Sequence, residues 1–79
     1  MLGIMSKIEI IKDVVNMIRE NKGLDLVQAV TPQTHLRDQL ELDSLDLAEF
    51  TVRVEKETGV DVFADGIVQT VGEVLERIS

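Results

Sequence analysis

Residues 36–50 read LRDQLELDSLDLAEF, and within them a loop gives way to a helix. Asp43 or Ser44 can accept hydrogen bonds from the free backbone N–H groups of a first helical turn, and the negative charge of Asp46 is favourable there. The pattern predicts a helix that follows Asp43 and runs to about Thr58, where a glycine ends it.

This helix has two different faces at 3.6 residues per turn. The side that we expect to be core carries Leu47, Phe50, Thr51, Val54 and Thr58. The opposite side carries Leu45, Ala48, Glu49, Val52, Arg53 and Lys56. The second face therefore has an apolar stripe, edged by charges, that the core does not need. Such a stripe favours a surface that docks a partner over apolar residues scattered at random.

An earlier helix is predicted from a capping box at Ser6 to Glu9, with Gly23 closing its other end. Its core stripe is Ile8, Ile11, Val15 and Ile18. We expect the polar side to face water, and it consists of Asp13, Asn16, Arg19 and Glu20. A second apolar row should widen the buried face, with a partner contact as the alternative, and it consists of Ile10, Val14 and Met17.

A long loop separates the two helices, because Thr31-Pro-Gln-Thr34 interrupts regular structure while scattered leucines pin the chain to the core. A single helical turn is expected near residues 36–40. After the second helix, residues 61–66 are rich in turn formers, and Ile67 with Val68 allows a short helical turn at most. A capping box at residues 70–73 opens a last helix.

These patterns predict an all-α fold, a small bundle of three to four helices with a long loop between helices 1 and 2 and a short third helix. The chain has 79 residues, which leaves room for one core. We therefore expect a single domain over residues 1–79, in which residues 1–5 form a short N-terminal extension.

The composition excludes several classes of function. Eight basic residues stand against fifteen acidic ones, a net charge of −7, which repels nucleic acids and anionic membrane surfaces. There is no cysteine, so any thiol chemistry must use a borrowed thiol. No stretch approaches the ~20 apolar residues of a membrane span. We expect a cytoplasmic monomer that neither binds nucleic acid nor inserts into a membrane.

Catalytic and metal-binding patterns are weak. Asp61 and Asp65 resemble the start of a calcium loop, but Phe63 and Gly72 occupy positions that need ligands. His35 is the only histidine and cannot assemble a zinc or nucleophile system alone. We therefore expect no metal site and no catalytic residue. What remains is the segment Asp43-Ser44-Leu45-Asp46, which by itself is typical of an ordinary helix start.

From Ser6 to Ile78 the chain resembles the acyl carrier protein family, most clearly in residues 36–50. The resemblance is one of layout: an acidic chain of this length, a long loop with a Thr-Pro turn, Asp-Ser-Leu at a central helix start, and the ending Thr-Val-Gly-Glu-Val-Leu. It implies that Ser44 is esterified with 4'-phosphopantetheine, taken from coenzyme A by a magnesium-dependent phosphopantetheinyl transferase. Asp43 would help to orient that transferase and its metal.

The resemblance also implies where other molecules bind. Partner enzymes would recognise the second helix through Leu45, Asp46, Ala48, Glu49, Val52, Arg53 and Lys56. An acyl chain would be sheltered between the helices, near Leu47, Phe50, Val54 and Ile67. The protein itself would not be an enzyme. It would carry acyl groups as thioesters and present them to ligases or synthetases, ketosynthases and acyltransferases.

Two alternatives stay open from the sequence. An aminoacyl or peptidyl carrier uses the same arm and the same bundle. A helical interaction module of a different class would have the fold but no arm, with Ser44 as a plain helix cap.

Three departures from the family pattern refine the expectation. Glu41 stands where glycine usually precedes the Asp-Ser-Leu segment, which bears on how the loop approaches the helix. Arg53 and Lys56 put positive charge on a face that is commonly acidic or neutral, which indicates a dedicated partner in a specialised fatty-acid, lipid or secondary-metabolite pathway. Residues 60–63 lack the usual proline, which predicts a third helix reduced to a turn and a smaller acyl cavity.

Overall fold

Three α-helices form the regular structure of the computed structural model, which describes residues 6–78: α1 (Lys7–Asn21), α2 (Ser44–Thr58) and α3 (Val71–Arg77). The all-α prediction is confirmed. The N-terminal extension expected at residues 1–5 lies outside the described residues. Within residues 6–78, no helix combines the length and the apolar character needed to cross a membrane.

The ends of α1 follow from its sequence. Ser6 caps the start, where its side-chain oxygen accepts a hydrogen bond of 3.3 Å from the Glu9 N–H. At the other end Gly23 adopts the left-handed conformation (φ 79°), as predicted. The N–H groups of Gly23 and Leu24 then donate to the carbonyls of Glu20 and Arg19 at 3.0 and 2.9 Å. These two bonds stop the helix and turn the chain back along it.

The core lies where the faces of the helices meet. From α1 it takes Ile11, Val14, Val15 and Ile18, from α2 Leu47, Phe50 and Val54, and from α3 Val71 and Val74. The predicted core face is thus confirmed for those three α2 residues. The widened buried face of α1 is confirmed at Val14 but wrong at Met17, whose side chain is 46% exposed.

The loop between α1 and α2 is fastened by polar side chains of α1 that were expected to face water. The Asn16 amide exchanges two hydrogen bonds with the backbone of Val27, at 3.0 and 2.8 Å. Arg19 is only 7% exposed and donates to the carbonyls of Asp25 and Leu40 at 2.9 and 2.8 Å. The expectation was wrong because the irregular loop folds over this side of α1, where its backbone groups need partners.

The loop nevertheless keeps its predicted turn before α2. The N–H groups of Gln39 and Glu41 donate to the carbonyls of His35 and Arg37 at 3.2 and 3.0 Å, which is the spacing of one helical turn. Apolar residues anchor this part of the chain in the core, and they are Val30, Leu36, Leu40 and Leu42.

The link between α2 and α3 contains a turn at residues 62–65, and residues 67–69 have no regular structure. The prediction allowed three or four helices, and residues 6–78 contain three. The short helix expected between α2 and the last helix is reduced to a turn, as the missing proline at residues 60–63 predicted. The link joins the long loop through an isolated antiparallel bridge between His35 and Thr70. Thr70 and Glu73 then form the predicted capping box that opens α3.

Candidate functional site

Ser44, the predicted attachment residue, is the first residue of α2, and its side chain is exposed. The N-cap is Asp43, whose carboxylate accepts a hydrogen bond of 2.9 Å from the Asp46 N–H. The Asp46 carboxylate in turn accepts one of 3.0 Å from the Asp43 N–H, which completes a capping box. The sequence left the cap open between Asp43 and Ser44, and the structure assigns it to Asp43.

The hydroxyl of Ser44 is consequently free. Among residues 6–78, no group hydrogen-bonds to it, and the backbone N–H groups of Ser44 and Leu45 have no acceptor either. Two free N–H groups at the positive end of a helix are favourable neighbours for a phosphate. An exposed hydroxyl with these neighbours therefore fits a covalently attached phosphodiester.

Lys22, the C-cap residue of α1, reaches this helix start, a contact that the sequence did not predict. The Lys22 ammonium donates to the Glu41 carbonyl at 2.7 Å and lies 2.5 Å from the Asp46 carboxylate. A basic residue near the end of a helix is common because it suits the helix dipole. Nothing in the sequence gives the direction in which its long side chain extends, so this contact had no readable signal.

Glu41, the residue that replaces the usual glycine, is the one described non-glycine residue with a positive φ, at 60°. The left-handed conformation costs a residue with a Cβ about 1–2 kcal/mol, whereas glycine adopts it freely. The backbone thus takes at Glu41 a conformation that suits glycine. The Glu41 side chain lies 3.6 Å from the Arg19 guanidinium, a second link to α1.

The charges at the helix start stabilise one another. Burial acts to raise the pKa of the Asp46 carboxyl, but hydrogen bonds from Lys22 and from the Asp43 backbone outweigh it and hold that pKa below its usual value. The hydrogen bond to Asp46 raises the pKa of Lys22 against the opposing effect of burial, and the negative charge of Asp43 adds to the increase. Both groups therefore stay charged at neutral pH.

The predicted partner face of α2 is exposed along most of its length. Leu45 is 82% and Val52 64% exposed, and Ala48 lies between them. Glu49 and Arg53 are half-buried and form an ion pair of 2.7 Å with each other. Lys56 is exposed, and no carboxylate of residues 6–78 lies within ion-pair distance of it. Its positive charge is thus available on the surface of an acidic chain.

A surface groove of about 250 Å³ runs beside the same face. Residues of α1 and α2 line it together: Ile10, Asp13, Val14, Met17, Arg53, Lys56 and Glu57. The exposed side chain of Met17 belongs to this groove, which explains why the second apolar row of α1 is not fully covered.

The residues predicted to shelter an acyl chain are divided. Leu47, Phe50 and Val54 lie side by side in the core. Ile67 is 75% exposed and lies on the surface, apart from these three core residues, and its place beside an acyl cavity stays a prediction. The reason for its exposure is the turn at residues 62–65, after which Val68 enters the core and its neighbour points outward.

Comparison with known proteins gives a consistent result. A family model described as a phosphopantetheine attachment site matches residues 12–78. Acyl carrier protein 2 of Ralstonia nicotianae is 32% identical over 76 residues, covering 94% of this chain and 93% of the relative. The acyl carrier protein of Lactobacillus acidophilus is 32% identical over 76 residues, covering 94% of both chains. That of Saccharopolyspora erythraea is 34% identical over 74 residues, covering 91% and 77%.

The fold is a small helical bundle, and the comparisons place the chain among carrier proteins rather than enzymes. The chain belongs to the acyl carrier protein family, the carriers that bear phosphopantetheine. Three predictions are thereby confirmed: the family, phosphopantetheine as the cofactor, and a carrier role without catalysis. Membership also implies that the protein acts with enzymes of acyl metabolism.

Proposed function

We propose that Ser44 carries the 4'-phosphopantetheine arm and that the protein presents acyl groups, held on the arm as thioesters, to partner enzymes. The observation that carries this proposal is the assignment of the N-cap to Asp43, which leaves the Ser44 hydroxyl exposed and without a hydrogen-bond partner among residues 6–78. A serine that served as the cap would have its oxygen occupied by a backbone N–H.

Ser44 and the residues beside it have separate roles in holding the arm. Ser44 supplies the oxygen of the phosphoester bond, and its free N–H and that of Leu45 stabilise the negative charge of the phosphate. Asp43 fixes the helix start and faces the transferase with its metal ion. The arm supplies the thiol that this cysteine-free chain lacks.

The proposal is tested by incubating the protein with coenzyme A, magnesium and a broad-specificity phosphopantetheinyl transferase, then measuring its intact mass. We expect one added phosphopantetheine on the native protein and none on Ser44→Ala. Ser6→Ala is the matched control, because Ser6 is also a serine at a helix start but caps α1, and its mass should still shift. Absence of any shift with several transferases would favour the unmodified interaction module.

We propose further that α2 docks a dedicated enzyme of a specialised fatty-acid, lipid or secondary-metabolite pathway. The exposed apolar stripe from Leu45 to Val52 supports a docking surface, and the unpaired charge of Lys56 supports an acidic patch on the partner. The proposed partners are the loading ligase or synthetase, a ketosynthase or an acyltransferase.

Charge reversal at Lys56 tests the docking surface. Lys56→Glu should slow loading by the native partner enzyme about threefold to tenfold, mainly through slower association, and added salt should reduce the difference. Lys7→Glu on the exposed start of α1 is the matched control and should load normally. Equal loading rates for both variants would contradict a role for this face.

A further inference from the structure

Lys22 makes a direct connection between the end of α1 and the start of α2. The two helices are separated in sequence by the long loop, and the Lys22 and Asp46 side chains lie 24 residues apart along the chain. The ammonium has two acceptors, the Glu41 carbonyl at 2.7 Å and the Asp46 carboxylate at 2.5 Å. These acceptors lie on either side of Ser44 in the sequence.

We infer that Lys22 is a positioning residue for Ser44, holding residues 41–46 in the one arrangement that a phosphopantetheinyl transferase binds. The inference rests on the proposed attachment of the arm at Ser44 and adds to it a residue that the family resemblance did not mark. Lys22 would not contact the reacting atoms; it acts through Glu41 and Asp46.

The contact at Asp46 couples Lys22 to the helix cap. Lys22 and the Asp43 N–H both donate to the same oxygen, Oδ2 of Asp46. Hydrogen bonds to a charged carboxylate are shorter and about twice as strong as neutral ones. A second donor on this oxygen therefore holds the Asp46 side chain in the orientation that the capping box requires, and that box sets where Ser44 begins α2.

The contact at Glu41 restrains a residue whose backbone has an unfavourable left-handed conformation. Glu41 has a φ of 60°, and a residue with a Cβ prefers to leave that region. The bond from Lys22 to the Glu41 carbonyl fixes the direction of the peptide group that follows. Lysine at residue 22 thus compensates locally for the absence of glycine at residue 41.

The arrangement should affect presentation of Ser44 more than overall stability. Lys22 is exposed, and exposed ion pairs add little to the stability of a fold. Three acidic residues, Glu41, Asp43 and Asp46, surround the helix start, and Lys22 pairs with the Asp46 carboxylate while also donating to the Glu41 backbone carbonyl. Without it the segment would sample more conformations, and the transferase would have to order it upon binding.

The test compares the kinetics of phosphopantetheine transfer for Lys22→Met and Lys12→Met. Lys12 is the matched control, because it is a lysine of α1 that pairs with Glu9 at 3.2 Å and makes no hydrogen bond or ion pair with residues 41–46. Lys22→Met should lower kcat/KM about threefold to tenfold through KM, with kcat and the melting temperature close to those of Lys12→Met. Lys22→Arg should recover most of the loss.

A second substitution separates positioning from a general effect of charge. In the native protein, Glu41→Gly should change kcat/KM less than about twofold. In the Lys22→Met background it should restore much of the lost kcat/KM, because glycine adopts the left-handed conformation without help. Equal losses with and without Glu41→Gly would contradict the role assigned to the Glu41 carbonyl.

The outcomes separate the two proposals. Native protein that no transferase modifies would overturn the proposed function of Ser44. Native protein that is modified, together with an unchanged kcat/KM for Lys22→Met, would overturn the inference about Lys22 and leave the proposed function standing. If Lys22→Met loses its helical circular dichroism, Lys22→Gln takes its place under the same criteria.

Discussion

In each of the two links that flank α2, an arginine of a neighbouring helix donates to backbone carbonyls of the link, but the two arginines differ in burial. In the first link, residues 22–43, Arg19 of α1 donates to the carbonyls of Asp25 and Leu40. In the second link, residues 59–70, Arg77 of α3 donates to the carbonyls of Val62 and Gly66 at 2.8 and 3.0 Å. Arg19 is buried, whereas Arg77 is half-buried and one of its bonds is exposed.

The difference in burial between Arg19 and Arg77 indicates which link is held more firmly. The first link crosses α1 and ends at the helix start that carries Ser44, and the bond from Arg19 to the Leu40 carbonyl within it is buried, so that carbonyl needs its partner. The second link leaves Ile67 and Gly66 at the surface, where water satisfies backbone groups. A buried cation bound to a carbonyl should therefore stabilise the fold more in the first link than in the second.

The largest expected effect comes from removing the arginines one at a time. Arg19→Met keeps the apolar stem but leaves the Leu40 carbonyl buried without a donor, so we expect a loss of about 3 kcal/mol in the free energy of unfolding. Arg77→Met should cost about 1 kcal/mol. Urea denaturation followed by circular dichroism measures both, and equal losses would contradict the contrast between the links.

A smaller loss is expected where the first link meets α3. Gly72 lies in α3, and a Cβ added there would approach the Pro32 carbonyl oxygen to 2.9 Å. Its N–H also donates to that oxygen at 2.8 Å. Gly72→Ala should cost about 2 kcal/mol, although alanine ordinarily favours a helix over glycine. A gain in thermal stability would show that α3 can move away from the first link.

Acid should weaken the attachment of the first link to α2, because Asp46 of α2 accepts hydrogen bonds from Lys22 and Asp43. Because the pKa of Asp46 is lowered in the folded protein, its contribution to stability is complete above the pKa of the unfolded chain and is lost as the pH falls through the lower, folded pKa. The free energy of unfolding should decline as the pH falls below about 4. Asp46→Asn should make that decline shallower, and an unchanged slope would exclude Asp46 as a source.

The smallest effect is expected at Glu41. Glu41→Gly removes the cost of the left-handed conformation but increases the freedom of the unfolded chain, so the net gain should be about 0.5 kcal/mol. Thermal unfolding monitored by circular dichroism measures it. A loss of stability would show that the ion pair of Glu41 with Arg19 outweighs the backbone strain.

Local rules predicted the helices and their caps, because capping residues and apolar spacing act over a single turn. The boundaries at Ser6, Gly23 and Thr70 were readable for this reason. The polar contacts of Arg19 and Lys22 were not, because periodicity only places a side chain on the side away from the core. It does not reveal that an irregular loop folds over that side.

The candidate site, too, could be predicted from the sequence only in part. The position of Ser44 at a helix start followed from the sequence, while the choice of Asp43 as the cap required the hydrogen bonds of the structure. The exposure of Ile67 could not be predicted, because an irregular link has no periodicity from which to infer which side chain turns inward.

The most direct test of the carrier role uses protein isolated from the cells that make it. Its intact mass, followed by the masses of proteolytic fragments, determines whether a group is attached and on which residue. We predict phosphopantetheine, with or without an acyl group, on the fragment that contains Ser44. A population uniformly unmodified at that residue would contradict the proposed function.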